Sequence, residues 1–223
     1  SLRRQRQMCI RDRQLYEGVN IKGQGTVGLI TYLRTDSTRI SVEADAAAKE
    51  YIKEAYGAEF VGAGTVAKKD DKKVQDAHEA IRPTYMTNSP ASIKDELSRD
   101  QFRLYQLIWN RFMASRMAPA KYENTSAKIA AGDYRFNASA SKIAFDGFLS
   151  VYNINNEKSE GNVMLKSIDE DTKLTLNDLD PKQHFTQPPA HYTEASLVKT
   201  LEEFGIGRPS TYAVSYTHLM LPT

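Results

Sequence analysis

A tyrosine and an arginine stand two residues apart at the end of an apolar run, Tyr32 and Arg34 within residues 27–38. If the run is a strand, its side chains alternate, so these two residues share one face while Leu29 and Ile30 lie on opposite faces. A guanidinium can hold a phosphate through two hydrogen bonds while a tyrosine oxygen attacks the phosphorus. The pair therefore suits nucleophilic attack on a phosphodiester. The structural alternative is that both residues only form the polar rim of a strand.

Three segments of the chain follow the order of motifs known from one protein family. Residues 28–38, Gly-Leu-Ile-Thr-Tyr-Leu-Arg-Thr-Asp-Ser-Thr, closely resemble the active-site segment of bacterial type IA DNA topoisomerases. Residues 75–83, Gln-Asp-Ala-His-Glu-Ala-Ile-Arg-Pro, and residues 187–213, with Gly-Ile-Gly-Arg-Pro-Ser-Thr-Tyr-Ala, resemble later motifs of that family. The leucine before the arginine is more similar to topoisomerase I than to topoisomerase III, where a proline is expected. The resemblance covers about residues 14–213.

The resemblance implies an enzyme that relaxes negatively supercoiled DNA without ATP. Tyr32 would be joined to a DNA 5′-phosphate during transient single-strand cleavage, and Arg34 would hold the phosphate until religation. The implied partners are a single-stranded segment at the cleavage site and duplex DNA in a central hole, and we expect a monomer in the bacterial nucleoid. The implied cofactor is Mg²⁺, with its ligands in an N-terminal domain outside this sequence, so no metal-binding residue is assigned here. We therefore expect the chain alone to be inactive.

Two other functional classes are compatible with parts of the sequence. A non-catalytic module that binds single-stranded DNA would use the same polar residues without a nucleophile. A tyrosine recombinase is less compatible, because the Arg and His residues that usually surround its tyrosine are not apparent. An Asp-x-Asp-x-Glu motif upstream of Gln14 would favour the topoisomerase over both.

Several polar residues are candidates for contacts to DNA. A lone histidine such as His78 is more often structural than functional, but the resemblance implies that it lies near the active site and contacts the DNA backbone. Glu79 either orients this histidine or forms a salt bridge with Arg82. Residues 205–211 place Arg, Ser and Thr on a tight loop where backbone amides can approach a phosphate, although glycine-rich loops are common. The predicted DNA-binding residues are Thr35, His78, Arg82, Arg208, Ser210 and Thr211.

The composition of the chain excludes several classes of protein. With 223 residues, 40% of them hydrophobic, the chain can bury a sizeable core. No apolar run approaches the roughly 18 residues of a membrane span, and none resembles a secretory signal, so we expect a soluble cytoplasmic protein. Its single cysteine, Cys9, cannot form an internal disulfide, and no Cys or His cluster has zinc spacing. A net charge of +2 is too small to indicate nucleic-acid binding, which must come from local clusters of Arg and Lys.

The apolar pattern predicts an α+β fold in three parts. We expect a mostly helical catalytic lobe over residues 14–118, an antiparallel β arch over residues 119–186, and the start of a helical DNA-binding domain over residues 187–213. Residues 1–13 and 214–223 depart from the family pattern and are expected to be artefactual, of the kind that translated adaptor sequence would produce. A basic arm on DNA is the alternative for the first of these two ends.

Two helices are predicted within the catalytic lobe. Ser41 should be the N-cap of a helix that runs through Tyr56 and is closed by Gly57. A capping box formed by Ser98 and Gln101 should begin the second helix, which ends at residues 117–119 and whose aromatic stripe suits burial better than base stacking. The predicted apolar positions are Ala44, Ala48, Ile52 and Ala55 in the first helix and Phe102, Tyr105, Ile108, Trp109, Phe112 and Met113 in the second.

Strands are predicted from residue 122 to about residue 186. Alternating side chains and turns at residues 132–133 and 146–147 support this prediction. A generic antiparallel module is the alternative to the family's arch. After this region, Thr193 should cap a helix that ends at Gly205.

Overall fold

The computed structural model describes residues 13–33, 35, 37–63, 78–152, 172–207 and 211. After a short helical turn at residues 13–17, the described elements are β1 (Val19–Ile21), β2 (Gly25–Val27), α1 (Val42–Ala55), α2 (Arg99–Arg116), β3 (Lys121–Ala131), β4 (Tyr134–Phe145) and α3 (Glu194–Glu203). Single 3-10 turns lie at Ala58–Phe60, Lys94–Glu96 and Gly147–Ser150. Helices combined with two separate antiparallel hairpins confirm the predicted α+β class. No described helix is long and apolar enough to cross a membrane.

Helix α1 begins and ends where the sequence predicts. The Ser41 hydroxyl accepts a hydrogen bond from the Ala44 N–H at 3.3 Å, which satisfies one of the free N–H groups of the first turn. At the other end, Tyr56 caps the helix, and Gly57 has a φ of 114°, a conformation that favours glycine. The buried positions are Ala44, Ala48 and Ile52. Ala55, the last helical residue, is exposed, so the prediction is wrong there because the buried stripe ends one turn earlier.

Helix α2 has the predicted capping box. The Gln101 N–H donates to the Ser98 hydroxyl at 3.4 Å, and the Ser98 N–H donates to Gln101 Oε1 at 3.0 Å. The helix ends at Arg116, with Met117 as its cap. Its aromatic face is buried rather than available for base stacking, as predicted: the buried members are Tyr105, Trp109, Phe112 and Met113, with Phe102 and Ile108 partly buried.

The hydrophobic core joins the two helices to the residues that lead into Tyr32. Leu15 and Leu29 are almost completely buried, and each such side chain contributes roughly 1.5–3 kcal/mol on burial. Tyr105 is also buried in this core, and its hydroxyl donates to the Asn88 carbonyl at 2.6 Å. Burial raises the pKa of Tyr105, so the hydroxyl stays protonated and remains a hydrogen-bond donor.

Strands β3 and β4 form one long hairpin that is mostly exposed on both faces. The turn at residues 132–133 is confirmed, with Ala131 opposite Tyr134. At the base of the hairpin, the Phe145 ring packs against Phe60 with centroids 4.8 Å apart. The hairpin is therefore attached to the lobe at one end. The second predicted turn, at residues 146–147, is also present, since Gly147 has a φ of 49° and begins a 3-10 turn.

The chain after this hairpin departs from the strand prediction. Residues 172–186 are described and contain no strand, so the prediction of strands to about residue 186 is wrong for them. A strand needs a hydrogen-bonded partner, and no described segment pairs with these residues. The predicted strands within residues 153–171 lie outside the described residues. Helix α3 is confirmed, with the Thr193 hydroxyl accepting from the Ser196 N–H at 3.2 Å and Gly205 following at a φ of 68°.

An ion pair with little exposure connects the two helices of the lobe. Arg116 Nη1 of α2 lies 2.9 Å from Asp45 Oδ1 of α1, and the side chain of Arg116 is only 5% exposed. Lys49 Nζ lies 2.7 Å from the other carboxylate oxygen of Asp45. Burial by itself raises the pKa of Asp45, but hydrogen bonds and charges from Lys49 and Arg116 outweigh burial, so the pKa lies below its ordinary value.

Replacing Asp45 by asparagine should destabilise the lobe in a pH-dependent way. At pH 7 we expect Asp45→Asn to lower the free energy of unfolding by about 1–3 kcal/mol, because the Arg116 guanidinium loses its countercharge. The pKa of Asp45 is lower in the folded protein than in the unfolded chain, so its carboxylate stabilises the fold fully at pH values above the unfolded pKa. This stabilisation is lost as the pH falls through the folded pKa. The difference in unfolding free energy between wild type and Asp45→Asn should therefore become smaller below about pH 4.

Urea denaturation at pH 7 and at pH 3 measures both effects. Glu43→Gln is the matched control, because Glu43 is an exposed acid in the same first turn of α1. Either of two results would contradict the stabilising role of the ion pair. One is that Asp45→Asn loses no more unfolding free energy than Glu43→Gln, and the other is that its difference from wild type stays constant with pH.

Candidate active site

The segment that carries Tyr32 is extended but is not the regular strand that was predicted. Among its described residues after β2, only Ile30 forms a bridge, to Pro83, while the Leu29 N–H donates to the Leu15 carbonyl at 2.8 Å. Leu29 and Ile30, which were predicted to lie on opposite faces, are both buried, at 1% and 3% exposure. Both faces of the segment are therefore covered by protein, because it passes through the core.

Tyr32 lies at the edge of this core, against two other aromatic rings. Its ring stacks on His78, with centroids 4.9 Å apart and 24° between the planes. Tyr16 meets the same ring nearly at a right angle, with centroids 5.6 Å apart and an interplanar angle of 73°. Tyr32 nevertheless remains 37% exposed. The structure thus brings the predicted nucleophile and the predicted histidine together, and it gives the nucleophile a second aromatic neighbour.

Thr31 connects the tyrosine segment to the histidine segment. Its hydroxyl donates to the Ala80 carbonyl at 2.8 Å and accepts from the Arg82 N–H at 2.9 Å. Its own N–H donates to the Arg82 carbonyl at 3.0 Å. These bonds fix the two segments beside each other, with Tyr32 one residue after Thr31 and His78 two residues before Ala80. The stacking of the two rings follows from this connection.

Glu79 pairs with Arg82, which was one of its two predicted roles. Arg82 Nη2 lies 2.7 Å from Glu79 Oε2, and the Arg82 Nε–H donates to the same oxygen at 2.8 Å. Arg82 Nη1 also donates to the Pro83 carbonyl at 3.0 Å. Described residues 78–82 are not helical, and Pro83 takes part in the bridge to Ile30.

The turn after Tyr32 is held by short polar side chains. The Thr35 hydroxyl accepts from the Ser37 N–H at 3.0 Å, and the Ser37 hydroxyl accepts from the Arg39 N–H at 3.2 Å. The Arg39 carbonyl then accepts from the Ala80 N–H at 2.8 Å, which returns the chain to the histidine segment. Thr35 therefore has a local structural role beside its predicted contact with DNA.

Several predicted site residues are not located by the structure. Arg34, Arg208 and Ser210 lie outside the described residues, so their roles stay predictions. Thr211 is described and exposed. Thr31 and Tyr16 were not predicted as site residues. Thr31 belongs to the matched motif, whereas no sequence signal pointed to Tyr16, because only the fold brings it beside Tyr32.

An open groove of about 620 Å³ is lined by residues that adjoin Tyr32, but not by Tyr32 itself. Tyr16 and Thr31, the two neighbours of Tyr32 described above, line one part of it, and Tyr85 lines another. Among the described residues, the lining carries hydroxyl, amide and aromatic groups and no charged side chain: Tyr16, Gln24, Thr26, Val27, Gly28, Ile30, Thr31, Thr84, Tyr85 and Thr87. Such a surface suits an uncharged planar group better than a phosphate.

The described residues do not fit a Mg²⁺ site. They contain no group of three His, Cys, Asp or Glu side chains that could hold a metal ion. The carboxylate nearest in sequence to His78 is Glu79, and Arg82 already occupies one of its oxygens. We therefore assign no metal ligand to the described part of the chain and derive no step through a metal.

Comparisons with a protein family and with a solved structure agree with each other. The family described as DNA topoisomerase matches residues 5–220, a range that extends past both predicted limits, residues 14 and 213. The chain is also similar to full-length topoisomerase I from Thermotoga maritima, at 36% sequence identity and a TM-score of 0.69 over 95% of this chain. It covers 33% of that chain, so it spans about a third of the relative's length.

Removing the Thr31 hydroxyl should loosen the connection between the tyrosine and histidine segments. Thr31→Val keeps the shape of the side chain but loses two hydrogen bonds, which should cost about 1–3 kcal/mol of unfolding free energy. The Arg82 amide proton should also exchange faster with solvent, because its acceptor is gone. Urea denaturation and hydrogen exchange measure these effects. Thr38→Val, at an exposed threonine on the same segment, is the control. If the two variants had the same unfolding free energy and the same exchange rate of the Arg82 amide proton, the role of Thr31 would be contradicted.

Proposed function

Because the chain belongs to the bacterial type IA DNA topoisomerase family, we propose that it supplies the nucleophile for ATP-independent relaxation of negatively supercoiled DNA. The observation that carries this proposal is the environment of Tyr32, whose ring contacts two aromatic rings yet remains 37% exposed beside an open groove. A structural tyrosine of the same lobe, Tyr105, is instead buried and has its hydroxyl bound to a carbonyl.

In the proposed reaction, the Tyr32 oxygen bonds to a phosphorus of one DNA strand while the bond from that phosphorus to the 3′ oxygen breaks. The phenol loses its proton and the departing 3′ oxygen gains one, so the products are a 5′-phosphotyrosine and a 3′-hydroxyl. One phosphodiester replaces another, so the reverse attack can reseal the strand without ATP. Arg34 is proposed to hold the phosphate through paired hydrogen bonds and to stabilise its charge.

Two of the proposed contacts to the DNA backbone, His78 and Arg82, belong to the segment that is bonded to the tyrosine segment. His78 stacks on the Tyr32 ring, which supports a contact from its imidazole to the same phosphate. Arg82 would have to exchange its ion pair with Glu79 for a phosphate, so we expect it to contribute less than Arg34. The other proposed backbone contacts are made by Thr35, Arg208, Ser210 and Thr211.

Single-stranded DNA is the proposed partner at the cleavage site. The groove supports this proposal, because Tyr85 is half-exposed on its wall and aromatic rings stack on unpaired bases. The long β3–β4 hairpin, exposed on both faces, supports an arch that encloses duplex DNA in the whole protein. A monomer that acts in the bacterial nucleoid, with Mg²⁺ bound by residues outside this chain, completes the proposal.

The chain alone should bind single-stranded DNA weakly and leave supercoiled plasmid unrelaxed. The reason is that it corresponds to about a third of the Thermotoga relative, and its described residues hold no metal site. Mixing it with a polypeptide that carries the remaining domains of a topoisomerase I, together with Mg²⁺, should restore strand cleavage. Agarose electrophoresis of plasmid measures relaxation. Relaxation by the pure chain alone would overturn the proposed division of the active site.

Replacing Tyr32 by phenylalanine should abolish strand cleavage in that reconstituted enzyme. The ring and its packing remain, so the melting temperature and the DNA affinity should stay nearly unchanged, whereas no covalent intermediate can form without the phenolic oxygen. Denaturing electrophoresis of labelled single-stranded DNA detects the covalent adduct. Tyr85→Phe is the control, because Tyr85 is an exposed tyrosine on the adjoining groove. An adduct formed by Tyr32→Phe would favour the non-catalytic DNA-binding alternative for this segment.

A further inference from the structure

We propose that Tyr16 is a positioning residue for Tyr32: its ring, meeting that of the nucleophile at 73°, sets the direction in which the tyrosine oxygen points. This inference rests on the proposed function, because it concerns the same nucleophile. Tyr16 is not a candidate nucleophile itself, since it lies outside the motif that carries Tyr32. Its contact is with the reacting side chain, at a centroid distance of 5.6 Å.

The backbone holds Tyr16 at a fixed place relative to the nucleophile's segment. The residue before it, Leu15, is completely buried, and its carbonyl accepts from the Leu29 N–H at 2.8 Å. The two segments are also close together at the next pair of residues, Tyr16 and Gly28. A Cβ added to Gly28 would lie 2.6 Å from the Tyr16 carbonyl oxygen, closer than real Cβ contacts allow. Glycine at this position therefore permits the contact that brings the two tyrosines together.

Tyr32 needs such a neighbour because its side chain leaves the fixed backbone and extends to the surface. Its ring is 37% exposed, so the core does not hold the ring in place. Stacking on His78 restrains the ring in one direction only, since stacked rings can slide past each other in their planes. The ring of Tyr16, nearly perpendicular to that of Tyr32, restrains the sliding. In-line attack on phosphorus requires the tyrosine oxygen to be placed within a fraction of an ångström, so this restraint acts on the rate.

The first test uses the full chain without DNA. NMR with ring-labelled tyrosine should show, in wild type and in Tyr16→Phe, a single environment for Tyr32 and cross-peaks between Tyr32 and His78. In Tyr16→Ala the Tyr32 signals should broaden or split. Tyr85→Ala is the matched control: it removes another half-exposed tyrosine of the same groove without removing the edge contact to Tyr32. Unchanged Tyr32 signals in Tyr16→Ala would overturn the proposal whatever reaction the protein performs.

The second test measures the rate in the reconstituted enzyme with Mg²⁺. Tyr16→Ala should lower the single-turnover rate of adduct formation about 10- to 100-fold, with DNA affinity changed less than about twofold, and Tyr16→Phe should restore the rate. A loss of affinity with an unchanged rate would overturn positioning and indicate base stacking instead. If wild type forms no adduct, the proposed function fails, and the NMR test still decides the role of Tyr16. A wild-type rate for Tyr16→Ala would overturn the inference while leaving the proposed function intact.

Discussion

The contact between the extended segment 28–33 and residues 80–84 determines the rest of the candidate site. Thr31 forms this contact through its backbone and its hydroxyl, which bond to Ala80 and Arg82, 49 and 51 positions further along the chain. Because the same contact also sets where His78 lies, the stacking of this histidine on Tyr32 is a consequence of hydrogen bonds made by neighbouring residues. The site is thus assembled by polar bonds at the edge of a hydrophobic core.

That core gives the site a rigid support on one side. Leu29 and Ile30, which lead into Tyr32, pack in the same cluster as the aromatic residues of α2. Side chains in such a close-packed interior resist displacement, so the backbone just before the nucleophile is fixed. The side chain of Tyr32, in contrast, extends to the surface and depends on neighbouring rings for its direction. A nucleophile that must be both accessible to DNA and accurately placed needs this combination.

The charges of the described site explain why recognition of a phosphate would depend on few residues. The net charge of the chain is only +2, and none of the described residues that line the groove is charged. Arg82 and Arg116 are both held in ion pairs with acidic residues of the lobe. Under the proposed function, the groove therefore offers surfaces for bases, while binding of the scissile phosphate falls mainly to Arg34, which lies outside the described residues. The remaining domains of a topoisomerase I would add further contacts.

The sequence by itself determined the helix ends, the turn of the long hairpin and the family. These features are local: Ser41 and Ser98 cap helices through bonds that span a few residues, and the motif around Tyr32 is contiguous. Only the tertiary structure decided that Tyr16 contacts Tyr32 and that Leu29 and Ile30 are both buried. Sequence periodicity assumes one inner and one outer face. It cannot show that a segment is buried on both faces, or that the Tyr16 ring lies against Tyr32, because both depend on packing between residues far apart in the sequence.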